Sequence, residues 1–384
     1  MPFYIRRGSI PSKRHIQHRS AQGALYYEEL VSREGFSDVY SNLYHIHLPT
    51  EVKKVEPFEP VALEPAGAKP HRHHHFKTFR LAQKGDWVRG RVTIAFNEDV
   101  VISTAAPHEG LGYYYRNGHA DETIYVHRGR GVMNTMYGRL EFGKGDYIIV
   151  PRGVTHRVAL EQGETRLFVV ESRGPLRIPQ HYKNAEGQLL EHAPYCERDL
   201  RVPEFEPAIE EKGEFPILVK LRGGFQRFVL AHHPFDVVGW DGFYYPWIFN
   251  IADYMPKVGK IHLPPPVHLT FEGPGFVMCS FVPRPFDFHE KAVPIPYSHS
   301  NVDSDEVLYY AEGQFMSRRG IEPGSITLHP AGLPHGPQPG LVEKSLGAKE
   351  TNELAVMVDT FRPLSVARAG LEADDPDYPF SWMA

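Results

Sequence analysis

Residues 297–336 read YSHSNVDSDEVLYYAEGQFMSRRGIEPGSITLHPAGLPHG, and the spacing of the chemistry in this stretch decides how the chain is built. His299 is followed by Asn301, Glu306, Gly313, Gly324, Pro330, Gly332 and His335. The alternation in Glu306-Val-Leu-Tyr-Tyr310 and in Ser325-Ile-Thr-Leu-His329 predicts two strands, because successive side chains of a strand point to opposite faces. Glu312-Gly313 and Pro330-Ala-Gly332 supply the turns. Such a strand pair, closed by a long return loop, brings His299, Glu306 and His335 together inside a small β-barrel.

Two imidazoles and one carboxylate, with coordination positions left over, form the facial-triad ligand set of non-haem Fe(II) oxygenases. A purely structural metal site is instead closed by its ligands. With 22 His in 384 residues, an arbitrary His is a surface or hydrogen-bonded residue. It is the joint spacing of Glu306, Gly313, Gly324, Pro330 and Gly332 that singles out His299 and His335. Asp305 competes with Glu306 for the carboxylate role, and only one of these neighbours can face the barrel interior.

The pattern occurs twice. Tyr115-Arg-Asn-Gly-His119-Ala-Asp-Glu122 leads to Gly129 with six residues between Glu122 and Gly129, as between Glu306 and Gly313. Gly145, Pro151, Gly153 and His156 then match Gly324, Pro330, Gly332 and His335 position for position. Both copies resemble the paired signature motifs of the cupin superfamily, with Asn301 standing where many cupins have a second His. The resemblance implies a mainly β bicupin: two β-sandwich or jelly-roll barrels with few helices. In the first copy Tyr115 stands in the place of His299, leaving Glu122, His156 and an off-register His119. Two ligands hold a metal weakly, so the first barrel reads as a structural partner with a degenerate site.

Composition agrees with short strands and many turns: 34 Gly, 34 Pro, 20 Tyr and 23 Phe. A formal charge of -5 gives no bulk attraction for nucleic acid or an anionic membrane. Cys196 and Cys279 are the two cysteines, too few for a disulfide framework or a cysteine zinc site. No apolar run is long enough to span a bilayer and the N-terminus lacks a secretory apolar core, so a soluble cytoplasmic protein is expected. The expected organisation is a first cupin-like domain over 1–171, a linker region over 172–226 and a second cupin domain with the iron site over 227–384. Ala21 to Gly35 reads as an early helix or turn. The run Pro70-His-Arg-His-His-His75 reads as an exposed segment binding metal only adventitiously. Phe215-Pro-Ile-Leu-Val-Lys220 is strand-like, and Phe235 to Pro246 is rich in aromatic side chains.

A closer resemblance is carried by Phe235-Asp-Val-Val-Gly-Trp-Asp-Gly242, Ile261-His262-Leu-Pro-Pro-Pro266, Phe281-Val-Pro-Arg284, Tyr297-Ser-His299-Ser-Asn301 and Leu333-Pro-His335-Gly-Pro337. Together these look like the homogentisate 1,2-dioxygenase family, in a short, divergent bacterial form. Gly23-Ala-Leu-Tyr-Tyr-Glu-Glu-Leu30 and Ser41-Asn-Leu-Tyr-His-Ile46 resemble the family's opening segment. The resemblance implies iron held by His299, Glu306 and His335, although one extra residue before the carboxylate keeps Asp305 in play. It implies that His262 is the active-site base and that His329 supports a ligand or faces the substrate. It further implies oxidative ring opening of homogentisate with O2 to maleylacetoacetate, as in tyrosine and phenylalanine catabolism, by a homo-oligomer, trimer or hexamer. One position departs: where the family has a Tyr that helps hold the substrate carboxylate, this chain has Phe315. Tyr297, Tyr309, Tyr310 and Arg284 are the candidate substitutes. A gentisate or other hydroquinone dioxygenase and a non-catalytic metal-binding bicupin are the competing expectations.

Overall fold

The computed structural model describes residues 2–383, and its regular structure is almost entirely strands joined by turns and loops. The one α-helix among them is the short Leu341–Ser345. The stretch that opened the sequence forms the centre of a six-stranded sheet. Asp305–Glu312 lies between Leu354–Thr360 and Ile326–His329, and His74–Phe76 closes the edge beyond Ile326–His329. Its register sets Glu306 opposite His329 on one side and Asp359 on the other. Gly313 ends the strand with a left-handed φ of 89°, and a Cβ there would meet the carbonyl oxygen of Asn352 at 2.1 Å, so only glycine fits this turn.

The first copy repeats this layout. Asp121–Arg128 lies between Asp146–Val150 and Arg166–Ser172, with Glu122 opposite Val150 and Glu171. Tyr115 pairs with His156 as His299 pairs with His335. The mainly β, two-barrel architecture is thus as the sequence predicts. The two copies meet through aromatic packing. Tyr309 of the second stacks on Phe168 of the first at 4.8 Å, and its hydroxyl bonds His127 Nδ1 at 2.6 Å. Tyr147 meets Phe271 edge-on at 5.5 Å. These residues belong to one continuous buried core, whose apolar area removed from water is the main force holding the halves together.

The chain does not divide at the boundaries expected from sequence. Within the segment read as a linker, Lys212–Leu221 pairs in parallel with Tyr114–Asn117 and antiparallel with Gly224–His232. Its alternating Phe215, Ile217 and Val219 completes a sheet of the first barrel, where the open edge would otherwise stay unpaired. Past 227, Val237–Gly242 joins Tyr40–His45 and Trp247–Asn250 joins Asp146–Val150, again in the first half. In the other direction, His74–Phe76 pairs with the second barrel. Ala21 to Gly35 holds a turn and the strand Tyr27–Ser32, not a helix, because pairing with Tyr40–His45 overrides local helix preference. His73, His74 and His75 are buried, not exposed, since that edge strand is drawn against Ile326–His329.

Candidate metal centre

Three elements converge on one point. Glu306 projects from the central strand; His299 and His335 lie on the two loops that flank it, tied by reciprocal backbone hydrogen bonds of 2.8 and 2.9 Å. His299 Nε2 stands 3.6 Å from Glu306 Oε2, and His335 Nε2 stands 3.4 Å from Oε1. The two rings are 4.3 Å apart. His335 donates from Nδ1 to the Leu333 carbonyl at 3.1 Å, which fixes its tautomer and leaves the Nε2 lone pair free. That Nε2 is buried without a hydrogen-bond partner, an unsatisfied acceptor of the kind a metal ion satisfies. The His–Glu–His donor set therefore fits a divalent transition metal, with His299, about a third exposed, marking the accessible side.

The competition between neighbouring carboxylates is resolved by pleat and loop. Asp305 points the other way, accepting the backbone N–H of Ala331 at 2.7 Å and of Leu364 at 2.6 Å. Burial raises the Glu306 carboxyl, but the imidazoles that face it, of His299, His329 and His335, outweigh this and hold it well below the usual range. His329, expected either to support a ligand or to face the substrate, takes the first position. Its Nδ1 donates to Glu306 Oε1 at 2.8 Å and its Nε2 accepts from the Tyr378 hydroxyl at 3.1 Å. Burial lowers His329 to about 3, so it is a neutral donor. Across the sheet, burial and then the charge of Glu306 raise Asp359 to about 8.

The remaining sequence candidates scatter. His262 lies at the rim: its ring meets Tyr297 edge-on at 5.3 Å, and Tyr297 meets His299 edge-on at 6.0 Å. Burial lowers its pKa, favouring the neutral imidazole. Arg284 is paired with Glu353 at 3.0 Å. Phe315 packs with Tyr310 and Ala355 in a satellite cluster. Tyr310 bonds Thr327 at 3.0 Å, and Tyr309 is locked between the barrels with its hydroxyl on His127. Four neighbours were not found from sequence. Arg318 donates to the carbonyl of Gly336, next to His335, and lies over the Trp382 ring at 5.4 Å with its Nε buried and unpartnered. Trp382 also packs 5.1 Å from His73, whose ring is 5.9 Å from His335, while Tyr378 holds His329. The only signal for any of them was the histidine run; the C-terminal aromatics carry no spacing.

The first barrel fills the equivalent place with protein. Arg91 clasps Glu122 through two bonds of 2.9 and 3.0 Å, and the Tyr115 hydroxyl donates to the same carboxylate at 2.7 Å. His156 keeps the His335 geometry, with Nδ1 on the Val154 carbonyl at 3.1 Å and a buried, unpartnered Nε2. A second cluster, His47, His232 and Asp236, has ligand atoms within 4.8 Å of one another. Part of it is engaged with the surrounding protein: His232 faces the carbonyls of His233 and Leu48 at 3.1 and 3.2 Å, and Asp236 accepts from His45 and the His47 backbone. The His47 and His232 rings stack at 17°, which does not let one ion lie in both ring planes. It is a hydrogen-bonded cluster.

A doubled β-barrel with an open-sided His–Glu–His cluster in one copy defines a cupin-type protein with a candidate metal centre. A family model described as "Homogentisate 1,2-dioxygenase N-terminal" matches residues 41–251. A protein of Saccharolobus solfataricus, named "Putative dioxygenase SSO1533", is 40% identical over 385 residues, covering 100% of this chain and 99% of its own. The chain belongs to the homogentisate 1,2-dioxygenase family of cupin-type dioxygenases. Among solved structures, a cupin 2 conserved barrel domain protein from Leptotrichia buccalis is similar at TM-score 0.34 and 9% identity, over 78% of this chain and 100% of its own. Protein Ylba from E. coli is similar at 0.33 and 10%, over 77% and 93%. Among the described residues no helix is long and apolar enough to cross a membrane.

Proposed function

We propose that this dioxygenase uses Fe(II) held by His299, Glu306 and His335 to open the ring of homogentisate with O2, giving maleylacetoacetate. The observation that carries the reading is the buried, unpartnered Nε2 of His335 facing Glu306 and His299, in a chain that belongs to this family. Bound iron would supply a Lewis-acidic centre with positions open to both substrate and O2. The residues of the chain do the rest. His329 holds Glu306 in one orientation, and Leu333 holds His335. Neutral His262, reached through Tyr297 at the exposed rim, takes the proton of a substrate hydroxyl.

The acidic arm of the substrate is assigned to Arg318. Phe315 has no hydroxyl to donate, Tyr309 is occupied in the core and Arg284 is neutralised by Glu353. Arg318 is the cation set beside the residue that follows a metal ligand, with a buried donor unpartnered. A guanidinium recognises a carboxylate through two parallel N–H bonds, which a single Tyr hydroxyl cannot do. The setting proposed for the enzyme is cytoplasmic tyrosine and phenylalanine catabolism, in a trimer or hexamer.

Anaerobic reconstitution with Fe(II), followed by oxygen uptake with homogentisate and gentisate in parallel, tests the reading. Uptake with homogentisate, and a ring-opened product, is expected. Uptake with gentisate alone transfers the assignment to the shorter acid, and no uptake with any hydroquinone leaves a non-catalytic bicupin.

A further inference from the structure

A cavity of about 880 Å³ opens on the first half of the chain, and none of the proposed iron ligands lines it. Four arginines do: Arg33, Arg116, Arg152 and Arg173. Three of them lack a carboxylate partner. Arg116 donates from Nε to the Thr155 hydroxyl at 2.8 Å, and Arg152 donates to the carbonyl of Arg173 while its own Nε is buried and unpartnered. Arg173 is exposed, and its guanidinium makes no ion pair among the described residues.

Two of the acids nearby are engaged, Asp121 through one of its oxygens. Asp121 is taken by Arg33 and by the backbone N–H of Arg152 at 3.0 Å, and Glu29 by His45 at 3.0 Å. Glu34, also on the lining, is exposed. Burial lowers the pKa of Arg116 although Glu29 opposes this, the mark of a guanidinium desolvated without full compensation. Positive charge gathered this way in a partly buried place is costly unless a counter-ion completes it. The surface beside Arg116 is apolar: Val219 is its cross-strand neighbour, and Ile217, Val219 and Leu230 form a small cluster of their own. Guanidinium and hydrocarbon side by side in one cavity specify a ligand with an anionic head and an apolar body.

We propose that this cavity is a second ligand site, separate from the iron centre, that binds a free amphipathic organic acid with its carboxylate on Arg116 and Arg152 and its chain along Ile217 and Leu230. Isothermal titration calorimetry of the protein with octanoate tests it, with octanol and octylamine as uncharged and cationic controls. One octanoate per chain is expected, with binding weakened by about ten-fold or more in Arg116→Gln and Arg152→Gln. Arg173→Gln, at an exposed position where the fold is not at stake, is expected to weaken it in the same direction. Glu306→Gln is expected to bind octanoate as the parent does, which separates this site from the iron centre. No binding of octanoate, equal binding of octanol, or undiminished affinity in all three arginine variants overturns the proposal. Sedimentation in parallel adds a further check: a changed protomer number in Arg173→Gln without octanoate also overturns it, by showing that a second copy fills the cavity.

Discussion

Arg91 lies across Glu122 in the first barrel with both terminal guanidinium nitrogens on the carboxylate, whereas the matching Glu306 of the second barrel faces three imidazoles. The same fold thus neutralises one buried glutamate with a fixed cation and sets the other among imidazoles, where we propose a metal.

This asymmetry predicts one iron per chain. Replacing His299, Glu306 or His335 with Ala is expected to abolish iron retention and turnover together, while His119→Ala and His156→Ala keep the iron. Metal analysis after desalting measures it, and loss of iron from folded His156→Ala would break the division of labour between barrels.

Arg91→Met leaves Glu122 and Glu171 buried without their shared cation. The expected cost is about 3–5 kcal/mol in denaturant unfolding, because removing one partner of a buried pair strands the other charge. A change within experimental error would show that Lys220 and Asn117 suffice.

Burial pushes His45 down, but hydrogen bonds from its two ring nitrogens to Asp236 and Glu29 prevail and raise it to about 9. A raised folded pKa means the imidazolium stabilises the fold fully below the unfolded value near 6.5 and ceases to do so as pH rises through about 9. At most ~3 kcal/mol is at stake, shared with both carboxylates. His45→Gln is expected to lose stability relative to the parent at pH 6, with the gap closing by pH 10; a pH-independent gap in denaturant melts would refute the linkage.

His262→Ala is expected to keep iron and slow turnover by about 10²–10⁴, the usual range for a proton-transfer group. An undiminished rate removes His262 from the chemistry and leaves it a rim residue packed on Tyr297.

Arg318→Leu is expected to raise KM for homogentisate by about ten-fold or more, as for a lost charged hydrogen bond, while leaving turnover of an uncharged alkyl hydroquinone unchanged. Steady-state oxygen uptake with the two substrates separates this from a general loss of the site.

The amino-acid sequence by itself determined the doubled motif and the three side chains, His299, Glu306 and His335, that converge in its second copy. Turn glycines such as Gly313 and the two-residue alternation around Glu306 are local constraints, and local constraints are written in order along the chain. What only the tertiary structure decided depends on pairings between distant segments. His73, Arg318 and Trp382 meet beside His335 from three separate regions, and Lys212–Leu221 became a barrel strand because an open sheet edge was there to receive it. Arg91 reached Glu122 in the same way, through burial that no spacing encodes: a desolvated carboxylate must find a partner, and the folded chain, not the motif, sets which one lies within reach.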